Sequence, residues 1–326
     1  MNATLVIPTY NRAERLRSLL DCLTRQATHR LARVVVGDDG SSDHTAEVVQ
    51  SFADRLPIVH AYQEDLGFRA GQARNLGIER AIGDVVIFAD DDVLVGPDYV
   101  EAHLSLHEAR RGERMVVLGP RHRTLAFDGA TPGPADFARA ERDDRIADLE
   151  GRSVDTHEAP WIFVYSCNFS VTRGGPELRF DDGFSGWGLE DTELGYRLHH
   201  AGYRIVEEPR AQVLHVDDDA PRDPFRCEAR QLPPSYDTYV ENAVRFMDLY
   251  PADPVLARFI RQDLRWYVRD AHGRWVKNGY ENDVEHVIAE CRQRRTRAAG
   301  AGDDRTAERT LDRTLDRTLE RTVESP

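Results

Sequence analysis

The chain has 326 residues, a formal net charge of −14, 40% hydrophobic residues and 31% charged residues. This composition fits a globular protein with one large α/β domain and an extension, or with two domains. The negative charge argues against a general affinity for nucleic acid or for anionic lipid surfaces. No apolar run approaches the ~20 residues that a membrane-spanning helix needs, so no integral membrane segment is expected.

The N-terminal sequence and the cysteines indicate the cellular compartment in which the protein is expected. The N-terminus "MNATLVIPTY" has no basic region before a hydrophobic stretch and does not resemble a signal peptide. The cysteines Cys22, Cys167, Cys227 and Cys291 lie far apart and form no CxxC or Cys/His pattern. Neither a disulfide framework nor a zinc site is expected, and the cytoplasm is the expected location.

Strands and helices alternate through the first hundred residues. A buried strand is expected at 3–8, before a helix that Asn11 and Glu14 can cap. Further strands are predicted at 33–37, 57–62 and 84–90, and further helices after Asp43 and at 70–82. This alternation predicts a parallel sheet with ligands at the carboxyl ends of its strands. The clusters "PTYNR", "DDGSSD" and "DDD" each follow a strand there and should meet in one cleft.

The remaining chain is less regular. The sequence predicts a helix from Pro97 to about Arg110, strands at 115–120, 161–173, 203–209 and 211–216, and a helix stopped by Gly202. Residues 121–160 carry no clear pattern, whereas 234–294 have a helical pattern. We therefore expect a catalytic domain at 1–217, a helical extension at 218–295, and a low-complexity tail at 296–326 that is either helical or disordered.

The triplet Asp90, Asp91 and Asp92 ends an apolar strand, and no Lys or Arg lies within seven residues of it. If the strand continues, Asp90 and Asp92 share one face and Asp91 the other. An Asp-x-Asp pair can hold Mg²⁺ or Mn²⁺, with waters and substrate phosphates completing the coordination. A solvated acidic turn, or carboxylates that cap the helix at Pro97, would give the same pattern.

Two other clusters suggest binding or catalysis. In "VVVGDDGSSD", Asp38 and Asp39 could accept hydrogen bonds from a nucleobase or ribose, although ordinary turn chemistry is the simpler explanation for this cluster taken alone. In "FSGWGLEDTELGYRL", two glycines flank Trp187, which can offer a flat face to a sugar ring. Glu190 and Asp191 then open a helix, where the positive end of the helix dipole keeps a general base ionised. The same carboxylates could simply stabilise the helix.

His215 lies in "AQVLHV" on the same predicted strand face as Val213. A histidine in this position is most simply a core residue with its hydrogen bonds satisfied. As a neutral imidazole, it could instead complete the metal site that the aspartates begin.

In combination, these motifs resemble the family 2 glycosyltransferases of the GT-A fold. "VIPTYNR", "VVVGDDGSSD", "GQARNLGI", "IFADDDV" and "GWGLEDTELGYRL" occur in that family's order over about residues 3–217. The last block is similar to the C-terminal segment of the galactosyltransferase and polypeptide N-acetylgalactosaminyltransferase type, as in chondroitin-polymerase-like enzymes. The resemblance implies an α/β fold: a Rossmann-like, mostly parallel central sheet with helices on both faces, plus the helical extension.

The resemblance also assigns roles to residues. It implies that the nucleotide-sugar is bound by Pro8, Thr9, Tyr10, Arg12, Asp39, Arg74, Asn75, Asp90 and Asp91. It implies a Mn²⁺ or Mg²⁺ ion held by Asp90, Asp92 and His215. It makes Asp191 and Glu190 the catalytic residues, with Asp191 as the base, and places Glu190, Trp187 and Gly188 at the acceptor or donor sugar.

The implied reaction is inverting transfer from a nucleotide-sugar, with UDP favoured by the family, to an acceptor that is a glycan, a metabolite or a protein. A sugar-phosphate nucleotidyltransferase is disfavoured because "PTYNRAER" has no glycine to cradle a triphosphate. A non-catalytic nucleotide-sugar-binding protein is a further alternative, although it would not need the carboxylates at 190 and 191.

Overall fold

A computed structural model of the protein describes residues 1–125, 127, 131–142, 149, 151–175, 177–216 and 236–297. The chain divides into two compact units, Met1–Leu232 and Pro233–Pro326. The predicted boundary at 217 lies at the start of 217–235, which is outside the described residues, as is all of the predicted tail after 297. None of the described helices is long and apolar enough to cross a lipid bilayer.

The first unit alternates strands and helices as the sequence predicts, up to β4. Its strands are β1 (Ala3–Thr9), β2 (Leu31–Asp38), β3 (Ile58–Tyr62), β4 (Val85–Ala89), β5 (Val93–Val95), β6 (Met115–Leu118), β7 (Arg121–Thr124), β8 (Asn168–Thr172), β9 (Arg204–Glu207) and β10 (Val213–Val216). Its helices are α1 (Ala13–Leu23), α2 (Thr45–Ser51), α3 (Ala70–Glu79), α4 (Tyr99–Ala109), α5 (Pro134–Arg139) and α6 (Glu190–His200).

The central sheet has seven strands in the order β3-β2-β1-β4-β8-β6-β9. The pairs formed by β1 to β4, and the pair of β6 with β9, are parallel, whereas β8 runs antiparallel to both of its neighbours. The predicted mostly parallel α/β fold is therefore confirmed. A smaller sheet in the order β5-β10-β7 lies beside the carboxyl end of β4.

Close packing of α3 on the sheet depends on glycine. A Cβ atom at Gly77 would lie 2.3 Å from Val6 Cγ1, and one at Gly37 would lie 2.2 Å from the Ala73 carbonyl oxygen. These approaches hold α3 close against β1 and β2, with Arg74 and Asn75 in the middle of the helix. The glycines of two sequence motifs thus position the helix that reaches the site.

The strand predicted at 161–173 is shorter in the structure. Residues Pro160–Phe163 form a 3₁₀ turn, and only Asn168–Thr172 belong to the sheet. Trp161 is buried and packs edge-on against Tyr196 of α6, which fixes the turn against that helix. The apolar composition of this segment therefore reflects helix packing as well as strand formation.

A buried polar ladder joins α4 to β8. Its members are Tyr99, His103, His107, Asn168, Ser170 and Thr172. The ladder ends where the Asn168 amide donates to the carbonyl oxygens of Pro120 and Ala211. Burial lowers the pKa of His103 to about 4, and burial together with the charge of His103 lowers that of His107 to about 3. Both histidines are therefore neutral in the folded protein.

The ladder makes stability depend on pH. Unfolded histidine binds a proton below about pH 6.5, whereas the buried pair does not, so this contribution to stability is complete above that pH and falls as the pH is lowered. The expected loss is about 1.4 kcal/mol per pH unit for each histidine, down to its folded pKa. Asp91 and Glu190, whose folded pKa values are both raised to about 7, shift stability in the opposite direction. The test therefore compares wild type with His103→Gln/His107→Gln.

Urea unfolding of both proteins measures this difference at several pH values. The wild type should lose stability relative to the double variant as the pH falls through the range between about 6.5 and 4. Parallel curves for the two proteins would show that the histidines are not the titrating groups.

The second unit contains the helices α7 (Asp237–Leu249) and α8 (Pro254–Leu264), a helical stretch at 284–297, and a hairpin of β11 (Tyr267–Arg269) and β12 (Trp275–Lys277). Asp253 caps α8 by accepting from the backbone N–H groups of Val255 and Leu256. The sequence predicts helices here, and the helices are present. The hairpin was missed because its strands have only three residues each.

Candidate active site

Three loops meet at the carboxyl ends of β1, β2 and β4. The Asp39 N–H donates to the Thr9 carbonyl oxygen at 2.9 Å, which joins the first two loops. Asn11 adopts a left-handed backbone conformation with φ of 52°, and its side-chain oxygen accepts from the N–H of Ser42 at 2.8 Å. The predicted capping box of Asn11 and Glu14 is absent because Asn11 is used in this way. Asp43 accepts from the Ala13 N–H instead.

The aspartate triplet lies in a turn and not in a strand, since β4 ends at Ala89. The expected alternation is therefore wrong: Asp91 and Asp92 share the guanidinium of Arg12 at 3.3 and 2.9 Å, and Asp90 binds Arg74 at 2.7 Å. Both arginines come from elements distant in sequence. They supply positive charge that the neighbouring sequence of the triplet lacks.

Adjacent carboxylates in this turn differ in acidity. Burial and the charge of Asp92 raise the pKa of Asp91 to about 7, although Arg12 opposes that shift and Thr9 donates to the carboxyl group at 2.7 Å. Burial also disfavours the ionised form of Asp92, but His215 and Arg12 outweigh it and lower its pKa to about 2. At neutral pH, Asp92 is ionised, whereas Asp91 is close to half protonated.

His215 faces Asp92 across the smaller sheet. Antiparallel pairing of β10 with β5 sets His215 opposite Val93, the residue that follows Asp92. The His215 Nε2 atom lies 3.3 Å from Asp92 Oδ1, an atom that accepts no well-formed hydrogen bond from the described residues. An imidazole nitrogen and a carboxylate oxygen directed at each other are suitable ligands for Mn²⁺ or Mg²⁺.

The protein offers few ligands to such a metal ion. Within the described part of the chain, no group of three or more His, Cys, Asp or Glu side chains converges as a metal cluster. Asp90, the third predicted ligand, binds Arg74 through Oδ1. The residues fit a divalent cation that takes most of its remaining ligands from water and substrate phosphate.

Arg74 and Asn75 connect α3 to the segment before α6. Arg74 is only 4% exposed and contacts Asp90 through Nη2 and Glu190 through Nη1, the latter at 3.2 Å. Asn75 accepts from the Phe180 N–H at 2.8 Å and donates to the Phe180 carbonyl oxygen and to Asp182. Both side chains therefore support the position of α6, a role that the sequence did not indicate.

The carboxylates at the start of α6 have different surroundings. Asp191 accepts from the N–H groups of Ser166 and Thr192, both at 2.8 Å. Burial and the charge of Asp191 raise the pKa of Glu190 to about 7, against the opposing effect of Arg74. The residue before them, Leu189, has a left-handed backbone with φ of 71°, an uncommon conformation for a side chain of its kind. Asp191 is thus oriented by two backbone donors.

Several side chains of the predicted nucleotide pocket form hydrogen bonds within the protein. Pro8 and Thr9 end β1, and Tyr10 is exposed and donates to Asp65 at 2.9 Å. Asp39 accepts from the Gln63 side chain and from the Arg69 N–H, both at 2.6 Å. Sequence reasoning missed Gln63, Asp65, Arg69, Ser166 and Phe180. None of these five residues lies in a motif quoted above.

The exposed aromatic residue Trp187 lies in the loop that precedes α6. Gly186 and Gly188 both have positive φ angles, at 70° and 112°, and the Gly186 N–H donates to the Phe68 carbonyl oxygen at 3.2 Å. Trp187 is 57% exposed. The two glycines thus permit a turn that leaves an aromatic ring in solvent, directly before Glu190 and Asp191.

Comparison with known proteins yields one family and several relatives. Residues 4–152 match the model for glycosyl transferase family 2. Validoxylamine A glucosyltransferase of Streptomyces hygroscopicus subsp. jinggangensis (strain 5008) is 39% identical over 225 residues, 61% of this chain and 51% of that protein. Chondroitin synthase of Escherichia coli is 31% identical over 230 residues, 63% of this chain and 33% of that protein. The chain spans about half the length of these relatives or less.

Solved structures share the fold. S. aureus TarS 1–349 in complex with UDP-GlcNAc has a TM-score of 0.58 at 16% identity and covers 81% of this chain and 71% of its own. Mannosyltransferase PcManGT from Pyrobaculum calidifontis, in complex with GDP-Man and Mn²⁺, has a TM-score of 0.55 at 16% identity. The match covers 95% of this chain and 80% of the PcManGT chain. At this identity, the likeness concerns the fold alone.

Proposed function

We propose that the chain, whose residues 4–152 match the model for glycosyl transferase family 2, transfers a sugar from a UDP-sugar to an acceptor hydroxyl with inversion, assisted by a divalent cation. The observation that carries this proposal is the position of Arg74, whose two terminal nitrogens touch Asp90 and Glu190. One guanidinium spans the distance between the aspartate turn and the start of α6. The groups proposed for donor and acceptor therefore border a single cleft.

Asp191 is the proposed base. The N-terminus of α6 favours a negative charge there, and the N–H groups of Ser166 and Thr192 fix the direction of the carboxylate. In that orientation Asp191 accepts the proton of the acceptor hydroxyl as the oxygen attacks the anomeric carbon. The diphosphate leaves from the opposite face of the sugar, so the configuration of that carbon inverts.

The aspartate turn is the proposed donor site. Asp92 and His215 would hold the Mn²⁺ or Mg²⁺ ion, with Asp90 beside them, and a bound ion would neutralise charge on the leaving diphosphate. Arg12 places a positive charge beside Asp92, and Tyr10 has an exposed ring that can stack on the nucleobase. Trp187 is the proposed contact for the transferred or accepting sugar.

The proposed donor is a uridine nucleotide that carries glucose. UDP follows from the family resemblance and is the ligand named for TarS, whereas PcManGT is named with GDP-Man. The glucosyltransferase among the relatives makes UDP-glucose the first donor to test. The cytoplasm is the proposed location, because Cys22, Cys167, Cys227 and Cys291 lie far apart in the sequence and form no CxxC or Cys/His pattern.

Calorimetric titration with UDP, GDP and dTDP, each with Mn²⁺ and with EDTA, tests the donor site. We expect UDP to bind with Mn²⁺, and to bind at least about tenfold more weakly in EDTA, a loss of about 1.4 kcal/mol. The matched variant Asp92→Asn should make binding of UDP the same in Mn²⁺ and in EDTA. Equal binding of all three nucleotides, or binding that ignores the metal in the wild type, would contradict the proposal.

A further inference from the structure

Exposed apolar side chains of the first unit are concentrated at one edge of the sheet. Among the described residues of this unit, seven large apolar side chains are exposed: Tyr10, Tyr62, Leu66, Phe68, Ile82, Leu125 and Trp187. All but Ile82 and Leu125 lie on, or directly follow, the carboxyl ends of β1 and β3 or precede α6. Large apolar groups exposed together beside a cleft indicate a binding surface.

Leu66, Phe68 and Trp187, which we call the rim, are held in place by their backbones. The Gly186 N–H donates to the Phe68 carbonyl oxygen, which ties the two loops together. The Arg69 N–H donates to Asp39 at 2.6 Å, and Asp65 accepts from the Gly67 N–H at 3.0 Å. The rim is therefore built on fixed loops, although Leu66 is 72% exposed and Phe68 54% exposed.

The rim borders the proposed base. Its first loop runs directly into α3, where a Cβ atom at Gly71 would lie 3.8 Å from Cγ of Glu190. Trp187 precedes Glu190 by three residues in the other loop. A molecule resting on the rim would thus reach the start of α6, where the proton is removed.

The charges near the rim disfavour an anionic ligand. Glu64 and Asp65 lie in the loop with Leu66 and Phe68, and Asp181 and Asp182 precede Trp187. The arginines of these loops are engaged: Arg69 donates to the Glu64 carbonyl oxygen and to Gln72, and Arg179 pairs with Glu79 and Asp182. Asp65 accepts hydrogen bonds from Tyr10 and Gly67, and Asp182 accepts from Asn75 and Arg179. Because each carboxylate oxygen has a second lone pair, these exposed side chains and Glu64 can also accept hydrogen bonds from hydroxyl groups.

We propose that the rim binds the acceptor, and that the acceptor carries an uncharged polyhydroxylated ring, a sugar or a cyclitol. The apolar face of the ring packs on Phe68 and Trp187, Leu66 covers its edge, and its hydroxyl groups donate to the surrounding carboxylates. This inference rests on the proposed function, and it assigns Leu66 and Phe68 as acceptor contacts.

Saturation-transfer NMR on the full chain, with and without UDP and Mg²⁺, tests this proposal without requiring turnover. The probes are methyl α-D-glucopyranoside, myo-inositol and D-glucuronate. We expect transfer to the first two and at least about threefold less to glucuronate, since a like charge beside the rim costs binding free energy. Phe68→Ala should weaken binding of the neutral rings about fivefold, because it removes one packing face.

Ile82→Ala is the matched control, since Ile82 is also exposed but lies before the amino end of β4. It should leave binding of both neutral rings unchanged. Equal binding in wild type and Phe68→Ala, equal transfer to glucuronate, or no transfer to any probe would overturn the acceptor assignment. Failure of the proposed function would appear separately, as a lack of nucleotide binding in the calorimetric titration.

Discussion

Asp191→Asn is expected to abolish sugar transfer while the protein still folds and binds nucleotide. The amide retains the size of the side chain but cannot accept the proton of the acceptor hydroxyl. Loss of a general base lowers turnover by about 10²–10⁴-fold. Because Asp191 contacts Ser166 and Thr192 and not the aspartate turn, affinity for UDP with Mn²⁺ should change less than about twofold, a difference under 1 kcal/mol.

Glu190→Gln is the matched variant for this experiment. Glu190 is the neighbouring carboxylate, equally buried, but it binds Arg74 and its pKa is raised to about 7. Its amide variant should reduce turnover less than Asp191→Asn does. UDP release from UDP-glucose, measured for both variants, decides between them. A larger loss in Glu190→Gln would assign the base to Glu190, and unchanged turnover in both would favour a non-catalytic nucleotide-sugar-binding protein.

Arg74→Ala is expected to destabilise the fold by about 3–5 kcal/mol, the cost of leaving the buried Glu190 carboxylate without its cation. Arg74 is almost fully buried, so water cannot replace its contact with Glu190, although Asp90 is partly exposed. Arg179→Ala is the control, because Arg179 also pairs with two carboxylates but is half exposed. Exposed pairs of this kind contribute about 1 kcal/mol or less. Urea unfolding of the two variants measures the difference.

The Arg74→Ala defect should also depend on pH. Without the guanidinium, the folded pKa of Glu190 rises above its present value of about 7, further from its unfolded value of 4.5. A folded pKa raised above the unfolded one gives stability that is present at low pH and lost as the pH rises. The variant should therefore recover relative to wild type on acidification. If the variant does not fold at neutral pH, its stability is measured below pH 7, where protonated Glu190 no longer needs the cation. Equal losses in Arg74→Ala and Arg179→Ala would contradict this account.

Much of the fold could be predicted because its signals are local. The strands β1, β2 and β4 are continuous apolar runs, and α1 and α3 carry helical spacing within a few residues. Polar loops that follow parallel strands lie at the same edge of the sheet. The sequence alone therefore predicts that the three clusters lie together. The antiparallel insertion of β8 was not predictable in this way, since strand direction leaves no local mark.

The candidate active site was likewise predictable only in part. The sequence by itself predicts as site residues the carboxylates at 90–92, the pair Glu190 and Asp191, His215 and Trp187, because carboxylate, imidazole and indole chemistry is carried by residue type and spacing. Which groups neutralise or orient them depends on contacts between segments far apart in the chain. Arg74 meets Glu190 across 116 positions, and Thr9 meets Asp91 across 82.

The sequence alone therefore determined the class of fold and the chemical groups available for the reaction, through periodicity and side-chain type. Only the tertiary structure decided that Asp91 and Asp92 share Arg12, that Asp92 faces His215, that Asn75 supports the loop before α6, and that Phe68 lies beside Trp187. The physical reason is that charge pairing, burial and hydrogen bonding act through distance in space, which the order of residues does not specify.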